Sequence, residues 1–170
     1  TVVIVVAQQH SAIADQAARL DHVLFAGCTH PPAVALAEAL VARAPEGLTR
    51  VFYSDDGSTS VEVALKMAWQ LYANRGAPRR TFIALRHGYH GDTLGAMSAG
   101  DPGVFGEPFE PLLFPVVRVQ GAQTRPYAAA PGVALDVAAA LGRMDAALTE
   151  HAGQVAAVIV EPMVQGAAGM

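Results

Sequence analysis

Cysteine and lysine are almost absent from this sequence, and basic residues form no cluster. Among its 170 residues there is one cysteine, Cys28, so an internal disulfide framework is excluded. We therefore expect a reducing compartment, the cytoplasm. Because the formal net charge is −4 and the arginines are scattered, we expect no nucleic-acid partner. Although Cys28 is close to His30 in sequence, we interpret it as a packed or loop cysteine rather than a catalytic thiol.

Long apolar runs and common catalytic motifs are also missing. Residues 2–7 are aliphatic, but this run is far too short to span a membrane, and we expect an edge or core strand there. The sequence contains no G-x-S-x-G motif, so no serine nucleophile of that kind is expected. Neither repeats nor low-complexity segments occur, which is consistent with one domain over residues 1–170.

Predicted helices alternate with predicted strands along the chain. Hydrophobic periodicity predicts helices at residues 11–24, 33–43, 59–74, 94–99 and 135–151. It predicts strands at residues 50–54, 81–85, 114–119 and 155–160, a loop at 100–111 and an exposed connection at 121–132. This order favours an α/β fold with a mostly parallel sheet flanked by helices. Ligands bind such sheets at the carboxyl ends of the strands, which directs attention to residues 54–60, 86–93 and 161–170.

The first of these segments, residues 54–62, has the composition of a phosphate-binding turn. A strand is followed by Gly57, which permits close approach of a ligand, and then by hydroxyl residues that open a helix. Unpaired N–H groups at a helix start favour an anion, and Ser58 and Thr59 can add hydroxyl donors. A plain capped helix, with Ser58 or Asp56 as N-cap, is the alternative that the pattern leaves open.

The second segment, residues 86–93, places an aromatic side chain between two glycines. The ring of Tyr89 beside such glycines could stack on a planar ligand. His87, His90 and Asp92 fit no usual zinc spacing, so we predict no metal site. A tight polar loop remains the alternative.

The third segment, residues 157–170, is a buried strand that ends in Glu161 and continues into a glycine-rich loop. A carboxylate at the end of a buried strand requires a partner or a function. Either a salt bridge or cap, or a role in a polar site, would satisfy it.

Together the three motifs resemble the class III (ω-type) aminotransferases, members of the fold-type I superfamily that uses pyridoxal 5'-phosphate (PLP). The likeness covers about residues 10 to 170, whereas residues 1–9 match poorly. Ser58 after Gly57, and Asp92-Thr93 after Gly91, favour the members that act in biotin biosynthesis. Four segments carry the resemblance: residues 19–30, 51–68, 88–98 and 161–170.

The resemblance implies a large PLP-binding domain and a role for each matching residue. Gly57 and Ser58 would hold the PLP phosphate, and Tyr89 would stack on the pyridine ring. Glu161 would belong to the polar network near the ring, and Asp92 to the surroundings of the active site.

The resemblance also implies a reaction and partners. The implied reaction transfers an amino group from S-adenosylmethionine to 8-amino-7-oxononanoate, giving 7,8-diaminononanoate. The small-molecule substrates would be handled by a cytoplasmic homodimer, with no membrane partner.

One departure from the family pattern concerns lysine. The only lysine, Lys66, falls in the helix after the phosphate turn, where the family uses it structurally. The family's Schiff-base lysine is therefore expected beyond Met170, and the sequence resembles part of a longer protein. Two alternatives remain open: another ω-aminotransferase acting on a different amine, and a non-catalytic fragment that retains only the PLP phosphate site.

Overall fold

The computed structural model describes residues 4–122 and 136–167, and for residues 4–10 it describes the helical backbone only. The chain divides into two compact units, Thr1–Phe52 and Tyr53–Met170. The single domain expected over residues 1–170 stays a prediction. Among the described residues, no helix combines the length and apolar character needed to cross a membrane. The exposed connection predicted at residues 121–132 lies largely outside the described residues.

The first unit contains two helices, α1 (Ile4–Arg19) and α2 (Pro31–Val41). His30 is the N-cap of α2, and its Nδ1 accepts a hydrogen bond from the N–H of Ala33 at 3.3 Å. Prolines suit the first turn of a helix because the N–H they lack would have no partner there. Cys28 is an exposed loop residue, as expected.

The second unit is built on a parallel three-stranded sheet. Helix α3 (Gly57–Asn74) precedes strand β1 (Thr81–Leu85), and α4 (Leu94–Ala99) follows it. Two 3₁₀ helices, Gly103–Phe105 and Glu107–Leu112, occupy the segment predicted as a loop. Strand β2 (Val117–Val119), helix α5 (Val137–Glu150) and strand β3 (Val155–Ile159) complete the unit. The strand order is β2-β1-β3, and both neighbours run parallel to β1.

Strand β1 is buried on both faces because helices cover both sides of the sheet. Side chains alternate between the faces of a strand, so Phe82 and Ile83 point to opposite layers. Phe82 packs with residues from α3, α4 and β3, namely Leu65, Ala99 and Ala156. Ile83 packs with residues from β2 and α5, namely Val119 and Ala147. The predicted α/β architecture with a helix-flanked parallel sheet is therefore confirmed.

Two of the predicted strands are wrong in the described residues. Residues 4–7 belong to α1, and residues 50–54 pair with no described strand. A strand needs a neighbour for its backbone N–H and C=O groups, whereas a helix pairs these groups internally. The β-branched residues of the first segment and the aromatic residues of the second favour strands locally, but no described strand pairs with either segment.

Replacing Ile83 with alanine tests whether this two-sided packing stabilises the fold. Ile83 is fully buried, so Ile83→Ala should lower the free energy of unfolding by about 2–5 kcal/mol. The matched control is Ile13→Ala, because Ile13 is 66% exposed, and its effect should stay within about 0.5 kcal/mol. Urea denaturation measures both, and equal losses would contradict the packing described here.

Candidate functional site

In the second unit, the loop after β1 lies against two other segments, the start of α3 and the segment after β3. The loop after β1 (residues 86–93) contacts the first turn of α3 through Gly91 and Ser58. The same loop is bonded to the segment after β3, because the N–H of Tyr89 donates to Glu161 Oε2 at 3.0 Å. The segments singled out from the sequence therefore adjoin each other at the carboxyl ends of β1 and β3.

Asp56 caps the start of α3. Its Oδ1 accepts from the N–H of Thr59 at 2.8 Å, and its own N–H donates to Thr59 Oγ1 at 3.1 Å. This reciprocal pair is a capping box, so the alternative of a capped helix holds with Asp56 as the cap. Within the described residues, the N–H groups of Gly57 and Ser58 have no hydrogen-bond acceptor. The cap thus leaves two donors at the positive end of the helix, where an anion is favoured.

Gly91 lies directly against Ser58. Its φ of +126° is a backbone conformation that residues other than glycine rarely adopt. A methyl group on Gly91 would collide with the Ser58 hydroxyl and lie 2.9 Å from the Ser58 Cα. Only glycine therefore lets the loop after β1 come this close to the start of α3.

Glu62 joins the two segments one helical turn further along α3. Its Oε1 accepts from the N–H of Gly95 at 2.7 Å and from the N–H of Ala96 at 3.3 Å. These are N–H groups in the first turn of α4, which have no partner within their own helix. A half-buried carboxylate from α3 consequently fixes the start of α4.

Tyr89 presents its ring to a cavity of about 550 Å³, whose lining also includes Asp92, Leu94, Met97 and Phe105. Its hydroxyl donates to Asp92 Oδ2 at 2.9 Å. This hydrogen bond, desolvation and the Asp92 charge together raise the pKa of Tyr89 above its ordinary value of 10.0. The phenol therefore stays protonated, and the bond to Asp92 orients an exposed ring.

Glu161 holds the loop after β1 and the loop after β3 together. Its two oxygens accept from different segments, Oε2 from the N–H of Tyr89 and Oε1 from the N–H of Gly166, each at 3.0 Å. Gln165 reinforces the junction by donating from Nε2 to Arg86 O at 2.9 Å. Glu161 is thus occupied by backbone donors, one of them the amide of the aromatic residue.

Asp101 anchors the start of the loop after β1. Its Oδ2 accepts from the N–H of His87 at 2.8 Å, and its own N–H donates to Gly88 O at 2.8 Å. Arg118 lies 3.5 Å from Asp101 Oδ1 and also donates to Gly100 O at 2.8 Å. These bonds hold His87 in a left-handed conformation with φ of +61°, which is uncommon outside glycine.

His90 is half-buried, and its Nε2 has no hydrogen-bond partner within the described residues. Desolvation lowers the pKa of His90 below its ordinary value of 6.5, although the Glu161 carboxylate acts in the opposite direction. The imidazole is therefore kept neutral in the folded chain near neutral pH.

The structure brings together most of the residues singled out from the sequence. Ser58 contacts the loop after β1 at Gly91, and Tyr89 in that loop is bonded to both Asp92 and Glu161. Lys66 is exposed and takes no part in these hydrogen bonds. Four residues that hold the loops had no role predicted from the sequence: Glu62, Asp101, Arg118 and Gln165. One signal was available for Glu62, which lies one turn after Ser58 and so on the same face of α3.

The family model and the sequence relatives that match this chain agree on one protein family. The model of the class III aminotransferases matches residues 8–170. The adenosylmethionine-8-amino-7-oxononanoate aminotransferase of Synechococcus elongatus is 52% identical over 159 residues, covering 94% of this chain and 37% of the relative. The enzyme of the same name from Geobacter sulfurreducens is 42% identical over 95% of this chain and 36% of the relative. The chain therefore spans little more than a third of the length of these relatives.

Solved structures agree with the sequence relatives. The crystal structure of the adenosylmethionine-8-amino-7-oxononanoate aminotransferase from Methanocaldococcus jannaschii matches with a TM-score of 0.79 and 40% identity, over 94% of this chain and 34% of that one. A PLP-bound amine transaminase from an uncultivated Pseudomonas species matches with a TM-score of 0.77 and 34% identity, over 94% of this chain and 37% of that one.

The neutral state of His90 predicts a specific pH dependence. The unfolded chain binds a proton at His90 near pH 6.5, whereas the folded chain binds it only at lower pH. His90 therefore favours folding above this value, and that contribution is lost as the pH falls below it. In an NMR titration, the imidazole resonance that disappears in His90→Gln should have a midpoint below 6.5. A midpoint at or above 6.5 would show that burial does not control this histidine.

Proposed function

Because the chain belongs to the class III aminotransferase family, we propose that it supplies the phosphate-binding and ring-binding parts of a PLP site. The match to the family model confirms the class III resemblance predicted from the sequence. The proposal depends chiefly on the contact between Ser58 and Gly91, because this contact brings an anion-binding helix start next to an exposed aromatic ring. Two relatives of known structure carry forms of the same cofactor: the Pseudomonas enzyme is PLP-bound and one from Vibrio fluvialis is PMP-bound.

The start of α3 fits the phosphate of this cofactor. In the part of the chain that the structure describes, the N–H groups of Gly57 and Ser58 are free, and with the Ser58 hydroxyl they supply three donors at the positive end of an 18-residue helix. The N–H of Thr59 is already bonded to the Asp56 carboxylate, and the negative charge of that carboxylate opposes anion binding. The proposed site is therefore selective for an anion that can reach the first two amides of the helix.

The loop after β1 fits the pyridine ring. Tyr89 is 46% exposed and lines the cavity, and its hydroxyl bond to Asp92 fixes the hydroxyl end of the ring. An aromatic face held in this way can stack on a planar heterocycle. Glu161 restrains the backbone of Tyr89, so we propose that it positions the stacking residue.

When bound, PLP supplies the electron sink for amino transfer, and the protein supplies orientation and electrostatics. We propose that, in the full-length protein, the amino donor is S-adenosylmethionine and the acceptor 8-amino-7-oxononanoate. Support comes from relatives of that name at 52% and 42% identity. A cytoplasmic homodimer belongs to the same proposal.

A second candidate is amino transfer from a simple amine. It is favoured by the match to the Pseudomonas amine transaminase at 34% identity and a TM-score of 0.77. The two candidates share the cofactor site and differ in the amino donor.

An assay of the full-length protein separates these candidates. The protein, saturated with PLP, should form 7,8-diaminononanoate from 8-amino-7-oxononanoate when S-adenosylmethionine is the donor. Under the same conditions 1-phenylethylamine should serve poorly. Turnover with 1-phenylethylamine and none with S-adenosylmethionine would establish the second candidate instead.

Replacing Ser58 with alanine tests the phosphate part of the proposal in this chain. Loss of one hydrogen bond to a charged group should weaken PLP binding about tenfold or more. Ser60→Ala is the matched control, because the Ser60 hydroxyl already donates to Asp56 O at 2.8 Å. Isothermal titration calorimetry with PLP measures both affinities. An equal loss in the two variants would contradict a phosphate contact at Ser58.

A further inference from the structure

We propose that Glu62 is a positioning residue on α3 that fixes the ring-binding end of the site. This inference rests on the proposed PLP function for its consequence, but its structural basis is independent of any ligand. Glu62 would touch neither substrate nor cofactor. It would act through the two backbone N–H groups that it binds on α4.

The geometry is a double contact with matched spacing. Ser58 and Glu62 lie one turn apart on the same face of α3. The residues they meet, Gly91 and Gly95, are separated by the same number of positions in the facing segment. At both glycines an added methyl group would collide with the opposing side chain. The facing segment is therefore held at two points, one at each end.

Glu62 also replaces a missing helix cap. Thr93 occupies the N-cap position of α4, but its side chain makes no capping hydrogen bond. Glu62 Oε1 instead accepts from two N–H groups of that first turn, and its negative charge lies at the positive end of the helix. The start of α4 thus depends on a side chain from a different helix.

The start of α4 in turn limits the position of Tyr89. Asp92, which accepts the Tyr89 hydroxyl hydrogen bond, lies just before the N-cap residue of α4. If α4 shifts, Asp92 moves and the ring loses its fixed direction. Phosphate contacts at Gly57 and Ser58 need no such support, because α3 has its own cap at Asp56. Loss of Glu62 should therefore affect the ring end and spare the phosphate end.

Amide hydrogen exchange tests the contact without a ligand. In Glu62→Ala, the amides of Gly95 and Ala96 should exchange about tenfold faster or more, since each loses a charged acceptor. The amide of Thr59, bonded to Asp56, should be unchanged. Glu150→Ala, at the exposed last residue of α5, is the matched control and should leave all three unchanged. Unchanged exchange at Gly95 in Glu62→Ala would overturn the proposal.

A double-mutant cycle adds a second, independent readout. Gly95→Ala forces the Glu62 carboxylate away, so it should speed exchange at Ala96 about tenfold in the wild-type background. In the Glu62→Ala background the collision is absent, and Gly95→Ala should have little further effect. Additive effects of the two substitutions would overturn the proposal.

Ligand affinities separate positioning from a purely structural role. PLP should bind Glu62→Ala about tenfold more weakly than wild type, while inorganic phosphate should bind both within about twofold. A parallel loss for both ligands would mean that Glu62 only stabilises the fold. If wild type binds neither ligand, the proposed function fails, and the exchange and cycle measurements still decide the role of Glu62.

Discussion

The close approach of α3 to the loop after β1 is the constraint on which the site depends. Gly91 and Gly95 admit this approach because neither has room for a side chain. It brings two N–H groups at the start of α3, which bond to no residue among 4–122 and 136–167, next to a loop that carries an exposed aromatic ring. Without it, the second unit would still contain a helix start and a tyrosine, but not one continuous surface for a phosphorylated ring.

Carboxylates bound to backbone N–H groups maintain this arrangement. Glu62, Glu161 and Asp101 each accept from the main chain of the segment between β1 and α4, or from its immediate continuation. Hydrogen bonds to a charged acceptor are stronger than neutral ones, and these bonds fix backbone rather than flexible side chains. Carboxylates from three separate segments thus restrain one loop, while Tyr89 remains exposed and lines the cavity.

The sequence predicts local and periodic features well and tertiary contacts poorly. Residues 81–85 and 94–99 form the predicted strand and helix, because burial on both faces and flanking turns define them locally. Residues 4–7 and 50–54 were mispredicted as strands, because a strand depends on a partner that local composition does not reveal. Tyr89 and Glu161 were singled out because they follow strand ends, and their roles stay predictions. The hydrogen bond that Gly95 donates to Glu62 joins residues 33 positions apart, and local sequence does not reveal it.

A crystal structure of this chain grown with PLP would test the central claim most directly. We predict that the phosphate lies within hydrogen-bond distance of the Gly57 and Ser58 amides, with the pyridine ring against the face of Tyr89. A phosphate bound away from the start of α3, or a ring on the opposite side of the loop from the cavity, would contradict the account.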